Sequence, residues 1–143
     1  MAAHYYPPCP EPHLTVGTAK HSDTTFLTVL LQDGVGGLQA LISGYWVDVP
    51  PVTGALIINV SAFLQARSND AFKSVDHRMV ATNTGPRVTV ACFFEPSGPA
   101  ASGRVYGPNI KDASPLRYRS FTVAEFLEAY SFDGKPALDR FRL

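Results

Sequence analysis

The sequence predicts a mainly β domain, a sandwich or barrel built from antiparallel strands. Three observations carry this. Short runs rich in β-branched and aromatic residues recur along most of the chain, 12 prolines and 11 glycines fall largely between them, and the one strong helix signature comes late. A chain of 143 residues suffices for one domain with a modest core.

Residues 26–32 form an apolar strand candidate that ends at Asp33-Gly34. Residues 38–41 and 45–49 flank Ser43-Gly44 and read as a hairpin, which Pro50-Pro51 terminates. Residues 55–60 make another short buried strand, and 61–67 a turn or two of helix. Two strands follow at 77–81 and 87–94, separated by Asn83-Thr84-Gly85-Pro86, a strong turn signal. Residues 97–115, rich in Ser, Gly, Pro and Ala, read as a surface loop. Thr122 and Glu125 then fit a capping box, in which the hydroxyl accepts the N3 amide and the carboxylate reaches back to the cap. Phe126, Leu127 and Tyr130 give that helix an apolar stripe, and Asp133-Gly134 ends it.

Hydrophobic residues make up 45% of the chain and charged residues 17%, a globular composition. Twelve acidic and twelve basic residues cancel, so the basic excess that nucleic acid or an anionic membrane calls for is absent. The expected partner is a small molecule. Cys9 and Cys92 form neither a disulfide framework nor a zinc-type pair and read as reduced, small hydrophobes. No apolar stretch approaches the ~20 residues that span a bilayer, and no charged-then-apolar signal opens the chain. The expected location is cytoplasmic.

The chemistry lies in His21-Ser22-Asp23. On a strand, positions i and i+2 project from one face, so the imidazole and the carboxylate can reach one point. His77 follows 56 residues after His21, on a separate strand. Two imidazoles and one carboxylate can occupy one face of an octahedron and leave three positions open, the pattern of non-haem iron(II) oxygenases. Taken alone, His-x-Asp is a weak signal, since a His and an Asp that close are more often a surface pair or a His–carboxylate hydrogen bond. Arg87 adds weight: it comes 10 residues after His77, across a Gly-Pro turn that lets the strand return to the same face. A guanidinium is suited to gripping a carboxylate bidentately in a dry pocket. Thr89, two residues on, offers a hydroxyl to the same anion.

Tyr5-Tyr6-Pro7-Pro8-Cys9-Pro10, His21-x-Asp23, Gly37-Leu38-Gln39, Trp46-Val47, Asn59, Ser68-Asn69-Asp70, Ser74-Val75-Asp76-His77-Arg78 and Arg87-x-Thr89 occur in an order that resembles the plant 2-oxoglutarate-dependent dioxygenases. Within them, the chain is most similar to the 1-aminocyclopropane-1-carboxylate oxidase homologue and desacetoxyvindoline 4-hydroxylase group. The resemblance implies a double-stranded β-helix, or jelly roll, with a C-terminal helix. It implies that His21, Asp23 and His77 are iron(II) ligands, and that Arg87 and Thr89 match the Arg-x-Ser pair holding the distal carboxylate of 2-oxoglutarate. Tyr6 would turn toward that cosubstrate, and Phe93 would stack on an aromatic substrate; packing in an aromatic core is the alternative for both. The implied reaction uses O2 and oxidises a small organic molecule of specialised metabolism, with succinate and CO2 as co-products.

Family members carry a long, partly helical N-terminal region ahead of Tyr-Pro-Pro-Cys-Pro. Against that pattern, residues 1–143 read as a single catalytic domain that is N-terminally truncated, with apolar sheet surface left exposed. Three further departures from the pattern involve Ser61-Ala62, Arg67 and Thr89. Ser61-Ala62 stands where Gly-Asp is usual, removing a residue at ease with positive φ and a capping acceptor, which Ser61 is expected to replace in part. Arg67 occupies an apolar position, so it snorkels or lies on an exposed face. Thr89 adds a methyl to the anion pocket. The missing N-terminal region and the Ser61-Ala62 change favour an alternative, a truncated non-catalytic jelly-roll fragment that binds a metal or a carboxylate, or merely pairs with a partner. A zinc hydrolase on the same ligands would need a general base that no motif supplies, and would leave Arg87 without a purpose.

Overall fold

The computed structural model describes residues 1–98, 100–109, 114–132 and 137–143. In chain order the elements are β1 (Ala2–Tyr6), β2 (Val16–His21), β3 (Leu27–Gln32), β4 (Leu38–Ile42), β5 (Tyr45–Asp48), β6 (Ile57–Val60), α1 (Ala62–Arg67), β7 (His77–Val80), β8 (Arg87–Phe94), β9 (Val105–Tyr106), β10 (Phe121–Thr122) and α2 (Val123–Phe132). Short 3-10 turns lie at Pro12–Leu14 and Ala137–Phe141.

The first eight strands make two four-stranded sheets, ordered β1-β8-β3-β6 and β2-β7-β4-β5. The first strand therefore pairs with the eighth, the second with the seventh, the third with the sixth and the fourth with the fifth. That nesting is one long hairpin whose two legs pass together between the sheets, the topology of a double-stranded β-helix. Its tip is the β4–β5 turn. Ile42 pairs with Tyr45, leaving Ser43 and Gly44 as a two-residue loop with φ of 51° and 84°. Positive φ at both central residues is the turn geometry whose twist matches antiparallel strands. Gly37, at φ 88°, immediately precedes β4; a Cβ there would collide with the Met79 methyl on β7.

Two compact units can be distinguished. The first comprises Met1–Ser22, Thr28–Asn59 and Val75–Phe93, and holds most of both sheets. Along β8, Arg87, Thr89 and Ala91 are buried while Val88 is exposed, so the odd positions face inward. The outward face of this sheet is apolar and open: Leu31, Ile58 and Val88 are 45%, 58% and 45% exposed. The runs at 26–32 and 55–60 were expected to be buried strands. Each instead buries only part of its surface, because nothing in the described chain covers the outer face.

The second unit comprises Asp23–Leu27, Val60–Ser74 and Phe94–Leu143. Its core is aromatic: Phe63, Tyr118, Phe121, Phe126 and Phe141 are all at most 2% exposed. Phe63 sits edge-on to Phe126 and Phe121 at centroid distances of 4.8 and 5.3 Å, a favoured geometry for aromatic pairs. The capping box forms as expected. The Glu125 amide donates to Thr122 Oγ1 at 3.1 Å, and the Thr122 amide donates to the Glu125 carboxylate at 2.7 Å. The expected end of that helix at Asp133-Gly134 lies outside the described residues.

Three expectations need correction. Ser61 does not cap α1. It sits at φ −108°, where glycine has no advantage, and its hydroxyl accepts a hydrogen bond from Thr25 at 3.1 Å. The Gly-to-Ser change is thus absorbed without backbone strain. Arg67 is neither a free snorkel nor on an exposed face; its guanidinium donates to the Gly107 carbonyl at 2.7 Å and is half-buried. Finally, the loop assigned to 97–115 contains β9, which pairs with β10; residues 99 and 110–113 of it lie outside the described residues.

Candidate metal centre and anion clamp

His21 ends β2 and His77 begins β7, and the two are register partners across the β2–β7 ladder. Their ring centroids are 4.3 Å apart. Irregular register between Thr18 and His21 re-aims the end of β2, as β-bulges do near functional sites. Each ring is then fixed in the same way. His21 Nδ1 lies 2.8 Å from the Ala19 carbonyl, and His77 Nδ1 lies 3.2 Å from the Val75 carbonyl. A carbonyl only accepts, so each contact is a hydrogen bond in the tautomer protonated at Nδ1, the tautomer that leaves Nε2 as the metal-binding atom. Asn59 on β6 approaches the same His77 nitrogen at 3.5 Å.

Asp23 lies two residues beyond the end of β2, not on the strand as the spacing suggested. Its main chain is held instead by the start of α1, where the Ala62 amide donates to the Asp23 carbonyl at 3.0 Å. One ligand atom each from His21, Asp23 and His77 lies within 4.8 Å of the others, and all three residues are half-buried. No other such cluster of His, Cys, Asp or Glu occurs among the described residues. Two neutral nitrogens and one carboxylate suit a borderline divalent metal such as iron(II), with coordination positions left over.

Arg87 is 2% exposed, among the most deeply buried large side chains in the chain. Its Nη2 donates to Gln32 Oε1 at 3.0 Å, and its Nε has no hydrogen-bond partner. No carboxylate among the described residues lies within salt-bridge distance of it. Burial pushes the guanidinium pKa down, against the stabilising fields of Tyr6 and Asp33. A buried cation with an unsatisfied N–H is costly unless a ligand completes it. The position fits a carboxylate.

Tyr6 is opposite Arg87 in the β1–β8 register, with the guanidinium carbon 5.4 Å from the ring centroid. Its hydroxyl hydrogen-bonds Thr18 Oγ1 at 3.0 Å, which ties β1 to β2. Thr89 is 3% exposed and shares the inward face of β8 with Arg87. Phe93 continues that face by strand alternation and is 36% exposed. Arg87 and Thr89 thus share the inward face of β8, as their spacing suggested, and Tyr6, which the resemblance alone singled out, lies opposite Arg87. Gln32, Thr18 and the two carbonyl supports of the histidines were not anticipated. Only Gln32 left a signal, as a polar residue at an inward position closing an apolar strand.

Comparison with known proteins agrees with this geometry. Residues 1–96 match the model of the 2OG-Fe(II) oxygenase superfamily. The chain is 49% identical, over its full length, to 1-aminocyclopropane-1-carboxylate oxidase homolog 7 of Arabidopsis thaliana, of which it covers 43%. It is 46% identical over its full length to deacetoxyvindoline 4-hydroxylase of Catharanthus roseus, covering 38% of that protein. Among solved structures, 99% of the chain superposes on 43% of JOX2, crystallised in complex with 2OG, Fe and JA, with a TM-score of 0.85 at 30% identity. The chain therefore spans well under half the length of these proteins. By fold and by sequence, it belongs to the 2OG-Fe(II) oxygenase superfamily.

Proposed function

We propose that the chain is the iron- and 2-oxoglutarate-binding part of an oxygenase that oxidises a small organic molecule. The observation that carries this reading is the pairing of two features in one fold: a His-Asp-His cluster, and a buried guanidinium with an orphaned N–H. His21 Nε2, His77 Nε2 and the Asp23 carboxylate would hold iron(II). When bound, iron(II) with 2-oxoglutarate and O2 supplies the oxidising chemistry, leaving succinate and CO2 as co-products.

The chain's own residues bind and orient. Arg87 would grip the distal carboxylate of the cosubstrate through its free Nε, a charge-assisted bond strengthened by the dry surroundings. Thr89 would add a hydroxyl from the next inward position of β8. Tyr6, held by Thr18, would wall the cosubstrate with its ring and keep water from the guanidinium. Phe93 would present an aromatic surface to the organic substrate. The plant relatives and their names support a specialised plant metabolite as that substrate.

The test is uncoupled turnover: succinate release from 2-oxoglutarate in air with iron(II) and ascorbate, for the wild-type chain and His77→Ala. Succinate formed by the wild type and not by the variant supports the oxygenase. A second reading, a fragment that binds both groups without turning over, is favoured by the open apolar face at Leu31, Ile58 and Val88. Saturable 2-oxoglutarate binding with no succinate would select it.

A further inference from the structure

We propose that Gln32 is a positioning residue for the anion clamp, holding the Arg87 guanidinium in place while leaving its charge uncompensated for the distal carboxylate of 2-oxoglutarate. The proposal rests on the reading of the site given above and names a determinant of cosubstrate affinity that none of the iron or carboxylate motifs contains.

Gln32 is the last residue of β3, and its amide is fixed at both ends. Oε1 accepts from Arg87 Nη2 at 3.0 Å, while Nε2 donates to the Val49 carbonyl at 3.3 Å. Val49 is itself anchored, its amide donating to the Leu38 carbonyl at 2.8 Å. Because Nε2 is committed to a carbonyl, the amide has one orientation, with its oxygen toward Arg87.

The chemistry of that acceptor decides what the guanidinium can do. A neutral oxygen satisfies one N–H of a buried cation and leaves the full positive charge for an incoming anion. A glutamate of the same shape would form a buried ion pair, steadying the fold but cancelling the cation and competing with the ligand. An apolar side chain would leave another buried N–H unpaired and the guanidinium free to turn. Of these three kinds of side chain, only a neutral acceptor gives both position and charge.

The experiment uses the full chain, under anaerobic conditions with iron(II) present, titrated separately with 2-oxoglutarate and with 2-oxobutanoate, a 2-oxo acid without a distal carboxylate. Wild type, Gln32→Glu and Gln32→Met are compared, with melting temperature and iron affinity measured alongside. Gln32→Glu is expected to raise the Kd for 2-oxoglutarate more than about tenfold. Its melting temperature should be equal or higher, its iron affinity unchanged, and its affinity for 2-oxobutanoate within about twofold of wild type. Gln32→Met is expected to weaken 2-oxoglutarate by about three- to tenfold. If Gln32→Glu binds 2-oxoglutarate as wild type does, or both variants lose the two oxo acids equally, the positioning role is overturned. A wild-type chain that binds iron but not 2-oxoglutarate would instead overturn the functional reading, and this role with it.

Discussion

His21 and His77 face each other across the β2–β7 ladder, and each sets its Nδ1 against the carbonyl two residues before it, at 2.8 and 3.2 Å. Two rings 4.3 Å apart are thereby oriented by their own backbone, and the Nδ1-protonated tautomer that suits these carbonyls is the one that ligates through Nε2. Preset orientation removes the ordering cost that a metal would otherwise meet on binding.

Loss of either ring should therefore remove the metal site. His77→Ala is expected to weaken iron(II) binding by more than about 100-fold, measured by anaerobic metal titration. Binding retained at wild-type strength would contradict the assignment.

Arg87 should separate the two ligands. Arg87→Ala is expected to cost about 3 kcal/mol of 2-oxoglutarate affinity, or about 100-fold in Kd, and to leave iron binding largely intact. Equal loss of both would place Arg87 in the scaffold. Arg87→Met is expected to raise the melting temperature of the ligand-free chain, because it removes a buried cation with an unpaired N–H. A lowered melting temperature would mean that Arg87 holds the sheet together.

Asp70 ties the second unit together. It accepts hydrogen bonds from Tyr118 and from Gln65 Nε2, and pairs with Lys73 at 2.9 Å and Arg142 at 3.2 Å. Burial pushes its carboxyl pKa up, but those four partners together outweigh burial and hold it well below the usual carboxylate range. Burial, together with the hydrogen bond to Asp70 and its charge, pushes the Tyr118 hydroxyl up to about 12. A depressed folded pKa means that Asp70 stabilises the chain fully above its unfolded pKa of about 4, and that this is lost as pH falls toward the folded value. Asp70→Asn keeps a residue that tolerates the φ of 72° found here, so it tests the charge rather than the backbone. The expected cost is about 2 kcal/mol by urea denaturation at neutral pH, with the gap to wild type narrowing below about pH 4. A gap that stays constant with pH would exclude the carboxylate as its source.

Ser61 should prefer to remain serine. Its side chain accepts from Thr25 in a fully buried position, so Ser61→Gly, which restores the residue usual in the family, is expected to destabilise by about 1 kcal/mol. Unchanged or greater stability in chemical denaturation would show that the hydrogen bond contributes nothing.

The mainly β, antiparallel architecture was legible in the sequence, whereas several of the contacts that build it were not. His21, Asp23, His77, Arg87 and Thr89 announce themselves by residue type and spacing, and Ser43-Gly44 by the φ values its turn demands. β1 was invisible, because Ala2-Ala3-His4-Tyr5-Tyr6 has little pattern of its own and becomes a strand by pairing with β8, some eighty residues away. For Asp23 the local picture was wrong: strand periodicity put it on β2, whereas it lies two residues beyond the strand with its carbonyl held by the Ala62 amide. The role of Gln32 depends on the partners that the nested hairpin brings to it, Arg87 and Val49, and that of Asp70 on Tyr118 and Arg142 from the C-terminal segment, so no short window of sequence holds either.

The most direct measurement is an anaerobic titration of the purified chain with iron(II) and 2-oxoglutarate, following the visible charge-transfer band of the chelate. A saturable band that is lost in Asp23→Ala is the predicted result. A folded chain that gives no band, or a band unchanged in Asp23→Ala, would contradict the site.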